Sequence, residues 1–246
     1  MRAFIALITL ACIGSAQADT LLGIYAGAGT WKQDYSGDAA AFGTAIDLED
    51  DLGFTDETNN ILYAALEHGV PVLPNIRVQH SNISIDADNT LSRTIDFNGV
   101  SFPLNEAIAT ELDLTQTDLV LYYEILDNVF SLDVGLAVRW VDGHFDIASS
   151  VDSTRAEFKG ALPMLYGKVR VDLPFSGFWL GAEAQGLGYD GSQLFDANAQ
   201  LGWESPIGLG LEAGWRTYHL ELDDVDDFSD ASIDVSGPYA ALNYHF

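Results

Sequence analysis

Residues 129–141, VFSLDVGLAVRWV, alternate strictly. Phe130, Leu132, Val134, Leu136, Val138 and Trp140 fall on one parity; Ser131, Asp133, Gly135, Ala137 and Arg139 fall on the other. A period of two is the signature of a β-strand with one apolar face. A one-residue slip would carry Asp133 and Arg139 to the apolar side, where a lipid-facing Arg alone costs about 2–4 kcal/mol at a bilayer midplane. The pattern recurs. Leu119, Leu121, Tyr123 and Ile125 oppose Asp118, Val120, Tyr122 and Glu124; Pro163, Leu165, Gly167, Val169 and Val171 oppose Met164, Tyr166, Lys168, Arg170 and Asp172. Phe178, Leu180, Ala182 and Ala184 alternate with Trp179, Gly181, Glu183 and Gln185. Phe195 to Trp203 and Leu209 to Tyr218 follow suit, with Asp196, Glu212 and Arg216 on the polar side. Weaker alternation marks strands over 21–35, 61–67 and 76–85, and residues 231–246 end with Pro238, Ala240, Leu242, Tyr244 and Phe246 on one face. Ten strands are predicted, or eight if two early segments form an extracellular hairpin instead.

Connection lengths also alternate. Short turns near 68–75, 127–128, 174–177 and 205–208 face longer acidic stretches near 36–60, 86–112, 142–159 and 221–231, with one short link at Asp190. This describes an all-β antiparallel transmembrane β-barrel with short periplasmic turns and long acidic extracellular loops. Asn98-Gly99, between 94–97 and 100–102, predicts a hairpin that extends the wall. A soluble β-sandwich or barrel alternates as well. Against it stand strands far longer than the roughly five or six residues usual in soluble folds, charges at inner positions that a dry core would not tolerate, and outer faces that begin or end in Trp, Tyr and Phe.

Residues 1–18, MRAFIALITLACIGSAQA, read as a signal peptide cleaved before Asp19. The apolar run is shorter than the ~20 residues of a membrane-spanning helix. Cys12 is the single cysteine, so there is no internal disulfide or cysteine-based zinc site. A lipoprotein signal would place Cys12 at the modified position, but Thr9-Leu10-Ala11 lacks the usual Leu three residues before it. The remaining chain, 19–246, is the barrel domain. Against 10 Lys and Arg the whole chain has 37 Asp and Glu, a formal charge of −27. Removing Arg2 with the signal peptide makes it −28. Nucleic acid and anionic surfaces are therefore excluded as electrostatic partners. The acids are clustered: residues 36–60 hold seven acids and no base, and residues 221–230 hold six and none.

The terminus Leu242-Asn243-Tyr244-His245-Phe246 resembles the assembly signal of bacterial outer-membrane barrels, carried by Leu242, Tyr244 and Phe246. That resemblance implies recognition by the barrel-assembly machinery. Gly27-Ala28-Gly29-Thr30-Trp31, Asp47-Leu48-Glu49-Asp50-Asp51-Leu52-Gly53, and Glu67 through Asn75 further resemble a group of uncharacterised outer-membrane β-barrel proteins of Gram-negative proteobacteria. The resemblance implies fold and outer-membrane location, but no activity and no catalytic residues. The expected surroundings are outer-membrane lipid and lipopolysaccharide, around a monomer.

Small barrels are filled by their side chains, whereas 16–18 strands leave an aqueous channel. The inward charges Glu124, Asp133, Arg139, Lys168, Arg170, Glu183, Glu212 and Arg216 are thus expected to pair into a closed lumen. The readings left beside a structural or surface-interaction role are a narrow solute channel and a hydrolase at the rim. Omptin proteases use Asp and His at the extracellular rim, and Asp86, Asp88, His144, Asp146 and His219 are the candidates here, although their order and spacing differ from the omptin pattern. There is no GxSxG, P-loop, Rossmann fingerprint or HExxH. No cofactor is expected beyond weakly held Ca²⁺ or Mg²⁺ at Asp47, Glu49, Asp50 and Asp51 or at Asp223, Asp224, Asp226 and Asp227, neither group having EF-hand spacing.

Overall fold

The computed structural model describes residues 22–70 and 72–246; the expected signal segment lies outside the described residues. Among these are fifteen strands and no helix: β1 (Leu22–Ala40), β2 (Ile46–Asp47), β3 (Asp56–His68), β4 (Asn75–Ser81), β5 (Ser84–Thr90), β6 (Ile95–Phe97), β7 (Val100–Phe102), β8 (Ala107–Asp113), β9 (Gln116–Leu126), β10 (Phe130–Ala148), β11 (Ser153–Asp172), β12 (Phe178–Tyr189), β13 (Ser192–Glu204), β14 (Leu209–Val225) and β15 (Phe228–His245). Ten of them close a ring in the order β1, β3, β4, β9, β10, β11, β12, β13, β14, β15, with β15 pairing back onto β1. Every pairing is antiparallel, and all the early segments join the wall, so the eight-strand alternative is excluded. β5 and β8 continue β4 and β9 as a hairpin, and β8 pairs the upper part of β10, with His144 opposite Asp113.

Side-chain parity is constant along each strand, yet polarity is not. On β10 the outward residues Phe130, Val134, Leu136 and Trp140 are exposed and apolar while Asp133 and Arg139 are buried inside. Past Trp140 the relation inverts: Asp142, His144 and Asp146 face out, and Val141, Phe145 and Ile147 are buried inside. β14 inverts past Trp215, with His219 and Glu221 outside and Tyr218, Leu220 and Leu222 inside; β15 has Leu242 and Tyr244 outside at one end and Asp230, Ser232 and Asp234 at the other. The inversion marks the edge of the lipid band. Ten residue steps of about 3.3 Å from Phe130 to Trp140, tilted about 40°, span roughly 25 Å, the height of a barrel's apolar belt.

The expected long loops are therefore corrected. β10 stays paired with β11 from Phe130 opposite Val171 to Ala148 opposite Ser153, and β14 with β15 up to Val225 opposite Phe228. Pairing continues beyond the membrane because the projecting wall exchanges an apolar exterior for an apolar interior. The Asn98-Gly99 turn, with φ of 45° and 81°, does join β6 to β7. It does not extend the wall: the two strands form a separate sheet with Ile95, Phe97 and Phe102 buried, so the hairpin caps the barrel mouth.

One seam is open. β12 pairs β11 only up to Gly186 opposite Leu165. Above it stands Pro163, which has no amide to donate to a neighbouring strand. Higher still, Asp227 and Asp226 accept hydrogen bonds from the Glu157 and Lys159 amides at 3.0 and 3.2 Å and bridge the gap.

Candidate functional site

The middle of the lumen is built from inward residues that strand alternation delivers to one level. Arg139 on β10 donates through Nε and Nη2 to the two oxygens of Asp118 on β9, both at 2.7 Å, and through Nη2 to Asp196 on β13 at 2.8 Å. Arg216 on β14 donates to the same Asp196 at 2.8 and 2.6 Å, and through Nη1 to Ser81 Oγ on β4 at 3.0 Å. The chain Asp118, Arg139, Asp196, Arg216, Ser81 thus crosses the lumen twice, from β10 to β13 and back from β14 to β4, the neighbour of β9. Gln185 on β12 donates to Asp118 at 3.4 Å. The Arg216 guanidinium lies 4.6 Å from the Trp31 ring centroid, and Arg139 lies 5.8 Å from that of Tyr218. Such stacking suits a weakly hydrated guanidinium. Arg139 is wholly buried, and its two carboxylates are at most 5% exposed.

Toward the turn end the lumen is wetter. Arg77 pairs with Glu183 and donates to Gln79 at 2.6 Å. Arg170 donates to Asp172 at 2.8 Å and lies 4.5 Å from the Trp179 ring centroid. Glu212 accepts from Asn243 at 3.4 Å. Asp133 and Lys168 sit opposite one another on β10 and β11, and Glu124 is exposed at the rim beside them.

Toward the loop end the lumen is apolar. Between β1 and β3 the chain turns inward, burying Ala41, Ile46, Leu48, Leu52 and Phe54. Phe54 meets Phe145 of β10 at 6.2 Å; Phe145 meets Phe97 at 5.0 Å, and Phe97 meets Phe228 of β15 at 6.4 Å. The β6–β7 hairpin is bonded to this segment through Thr44 N to Asp96 O at 3.0 Å and Asn98 N to Ala41 O at 2.6 Å. Arg93 clamps it by donating to Asp51, at 2.9 Å through Nε, and to the Ala45 carbonyl at 2.6 Å. Burial pushes the Asp51 carboxyl up, but the hydrogen bonds from Arg93 and the Asp47 amide, with the Arg93 charge, outweigh it and hold the group below its ordinary value.

The rim candidates do not converge into one catalytic centre. His144 and Asp146 face outward on β10, while His219 faces outward on β14 and is bonded through Nδ1 to Asp234 at 2.8 Å. Three wall strands separate the two histidines. Asp86 and Asp88 are outward on β5, with Asp86 opposite Glu111 and Glu111 opposite Asp146. Four of the eight acidic loop candidates are already engaged. Asp47 Oδ1 accepts from the Glu49 and Asp50 amides at 2.9 and 2.7 Å, and Asp51 is held by Arg93. Asp226 and Asp227 hold the β11 amides, while Asp223 and Asp224 line the mouth of the open seam. That seam encloses about 330 Å³ between Phe158, Leu162, Leu187, Leu194, Leu220 and Leu222. Leu242, Tyr244 and Phe246 face the lipid side, with the two aromatic rings 4.5 Å apart.

Sequence reasoning passed over Arg77 and the apolar layer. Arg77 was accessible from alternation, since Ile76 and Val78 occupy the outer parity on either side. The inward fold of residues 41–55 has no periodic signal.

No protein-family model matches the chain, and no curated protein matches it. Among solved structures, the outer membrane protease OmpT of Escherichia coli is similar at 14% identity and a TM-score of 0.49, covering 94% of this chain and 99% of that one. The translocator domain of the autotransporter NalP from Neisseria meningitidis is similar at 12% identity and 0.43, over 100% and 94%. The Pseudomonas putida toluene transporter TodX is similar at 8% and 0.35, over 93% and 90%. These likenesses are of barrel form and transfer no residue roles. By its own geometry, this chain is a ten-stranded antiparallel transmembrane β-barrel whose interior is layered from charged to apolar.

Proposed function

We propose that the protein is a closed outer-membrane barrel, akin to the group its sequence resembles, that presents a projecting acidic wall outside the cell and conducts no solute. The observation that carries this reading is the pair of layers in series: the Arg139 network across the midplane and the aromatic core above it. Either fills the section of a barrel already near the side-chain-filled limit. The separation of His144 from His219 favours a structural or surface-interaction role over hydrolysis at the rim. In this reading the chain is a monomer in lipid and lipopolysaccharide, delivered by the barrel-assembly machinery through Leu242, Tyr244 and Phe246. Purified full-length protein in planar bilayers is expected to give no stepwise conductance. Discrete openings in the wild type would overturn the closed-barrel reading, and hydrolysis of peptides or phospholipids that is lost on His144→Ala or His219→Ala would overturn the non-enzymatic one.

A further inference from the structure

We propose that Glu111, His144 and Asp146 form a zinc-binding site on the outer face of the projecting wall. The three side chains come from two paired strands. Glu111 lies opposite Asp146 in the β8–β10 ladder, and His144 is two residues from Asp146, hence on the same face. One donor atom from each lies within 4.8 Å of the other two. His144 Nε2 and Glu111 Oε1 are 3.4 Å apart. That separation is longer than the usual 2.7–3.2 Å of an N–H···O hydrogen bond. It is the spacing of two ligands on one tetrahedral zinc, about 3.3 Å when each bond is about 2.0–2.1 Å.

The surrounding charge also asks for a cation. Asp86, Glu111 and Asp146 stand opposite one another across three adjacent strands, a ladder of like charges that is unfavourable when nothing sits between. Arg155 offsets one end of it, donating through Nε to Asp146 Oδ1 at 2.6 Å and through Nη2 to Oδ2. Its side chain is half exposed, so it can swing away, and each carboxylate oxygen keeps a second lone pair. The imidazole makes the donor set one for zinc; oxygen ligands alone would suit Mg²⁺ or Ca²⁺. Three protein ligands leave a fourth position for solvent.

The test is equilibrium dialysis of ZnCl₂ against EDTA-stripped full-length protein in detergent, with millimolar Mg²⁺ present and folding followed by circular dichroism. The wild type is expected to bind one zinc ion saturably. His144→Ala should weaken binding by at least about tenfold, the loss that removal of even an indirect partner of a ligand causes. Glu111→Gln, which keeps the side-chain shape, should weaken it as well and serves if the alanine variant fails to fold. Arg155→Ala should tighten binding by freeing Asp146, and His219→Ala should leave it unchanged. The proposal is overturned if the wild type shows no saturable uptake, if Mg²⁺ displaces the zinc, or if folded His144→Ala and Glu111→Gln bind as the wild type does.

Discussion

Arg139 has no bulk water to hydrate it, so its charge is tolerable only because Asp118 and Asp196 supply three hydrogen bonds. Arg139→Ala would leave Asp118 buried with only the weak Gln185 contact. It should cost about 3–5 kcal/mol, the usual penalty for removing one partner of a buried ion pair, read by urea unfolding in detergent. Asp118→Leu combined with Arg139→Met should recover most of that loss, because Asp196 keeps Arg216; a double variant as unstable as the single one would show that the pair does more than neutralise itself. At the loop end, Arg93→Ala should weaken the inward segment by about 1–3 kcal/mol by leaving the Asp51 carboxylate short of donors. The folded pKa of Asp51 lies below the unfolded value of about 3.9, so the clamp is complete above that pH and is lost as acidification passes through the lower folded value. Hydrogen exchange at the Asp47 and Gly53 amides should accelerate below about pH 4 in the wild type, and already at neutral pH in Arg93→Ala.

The strands themselves were legible because alternation reports a difference in solvent between two faces, and lipid outside against polar groups inside is the largest such difference. Above Trp140 and Trp215 the outside becomes water and the signal reverses sign. Residues 142–159 and 221–231 then read as acidic loops, although their backbones continue the ladders. The reversal carries a prediction for single elements. Leu136→Arg, on the lipid face, should cost about 2–4 kcal/mol, whereas Ser232→Arg, on the same outward parity beyond the membrane, should stay within about ±0.5 kcal/mol. Comparable costs at the two sites in lipid-vesicle unfolding would show that the lipid band has been placed wrongly. The Asn98-Gly99 hairpin shows the limit of local reading. Its turn chemistry specified the hairpin, but only the buried Phe97 and Phe102 decide that it folds over the mouth.

At the scale of the whole molecule, the proposed closed barrel rests on two layers of different chemistry. Leu52→Asp with Phe54→Asp should disrupt the apolar seal, yet leave planar bilayers silent because the Arg139 layer remains. Arg139→Ala alone should also be silent, since the aromatic layer still covers it. Stepwise conductance is expected only when the three substitutions are combined. Conductance from either set alone would mean that its partner layer does not span the lumen.

The two-residue period by itself determined the strand character of the wall and the inner and outer parity of its residues, because a one-residue slip would expose the inward charges to lipid; whether ten or eight strands closed the ring was left to the pairings of the early segments. It could not determine which charges meet, since pairs such as Arg77 with Glu183 and Arg139 with Asp196 lie far apart along the chain and are joined only when the ring closes. The inward fold of residues 41–55 and the meeting of Glu111 with His144 and Asp146 likewise depend on closure and register. Those are long-range pairings, and the tertiary structure alone decided them.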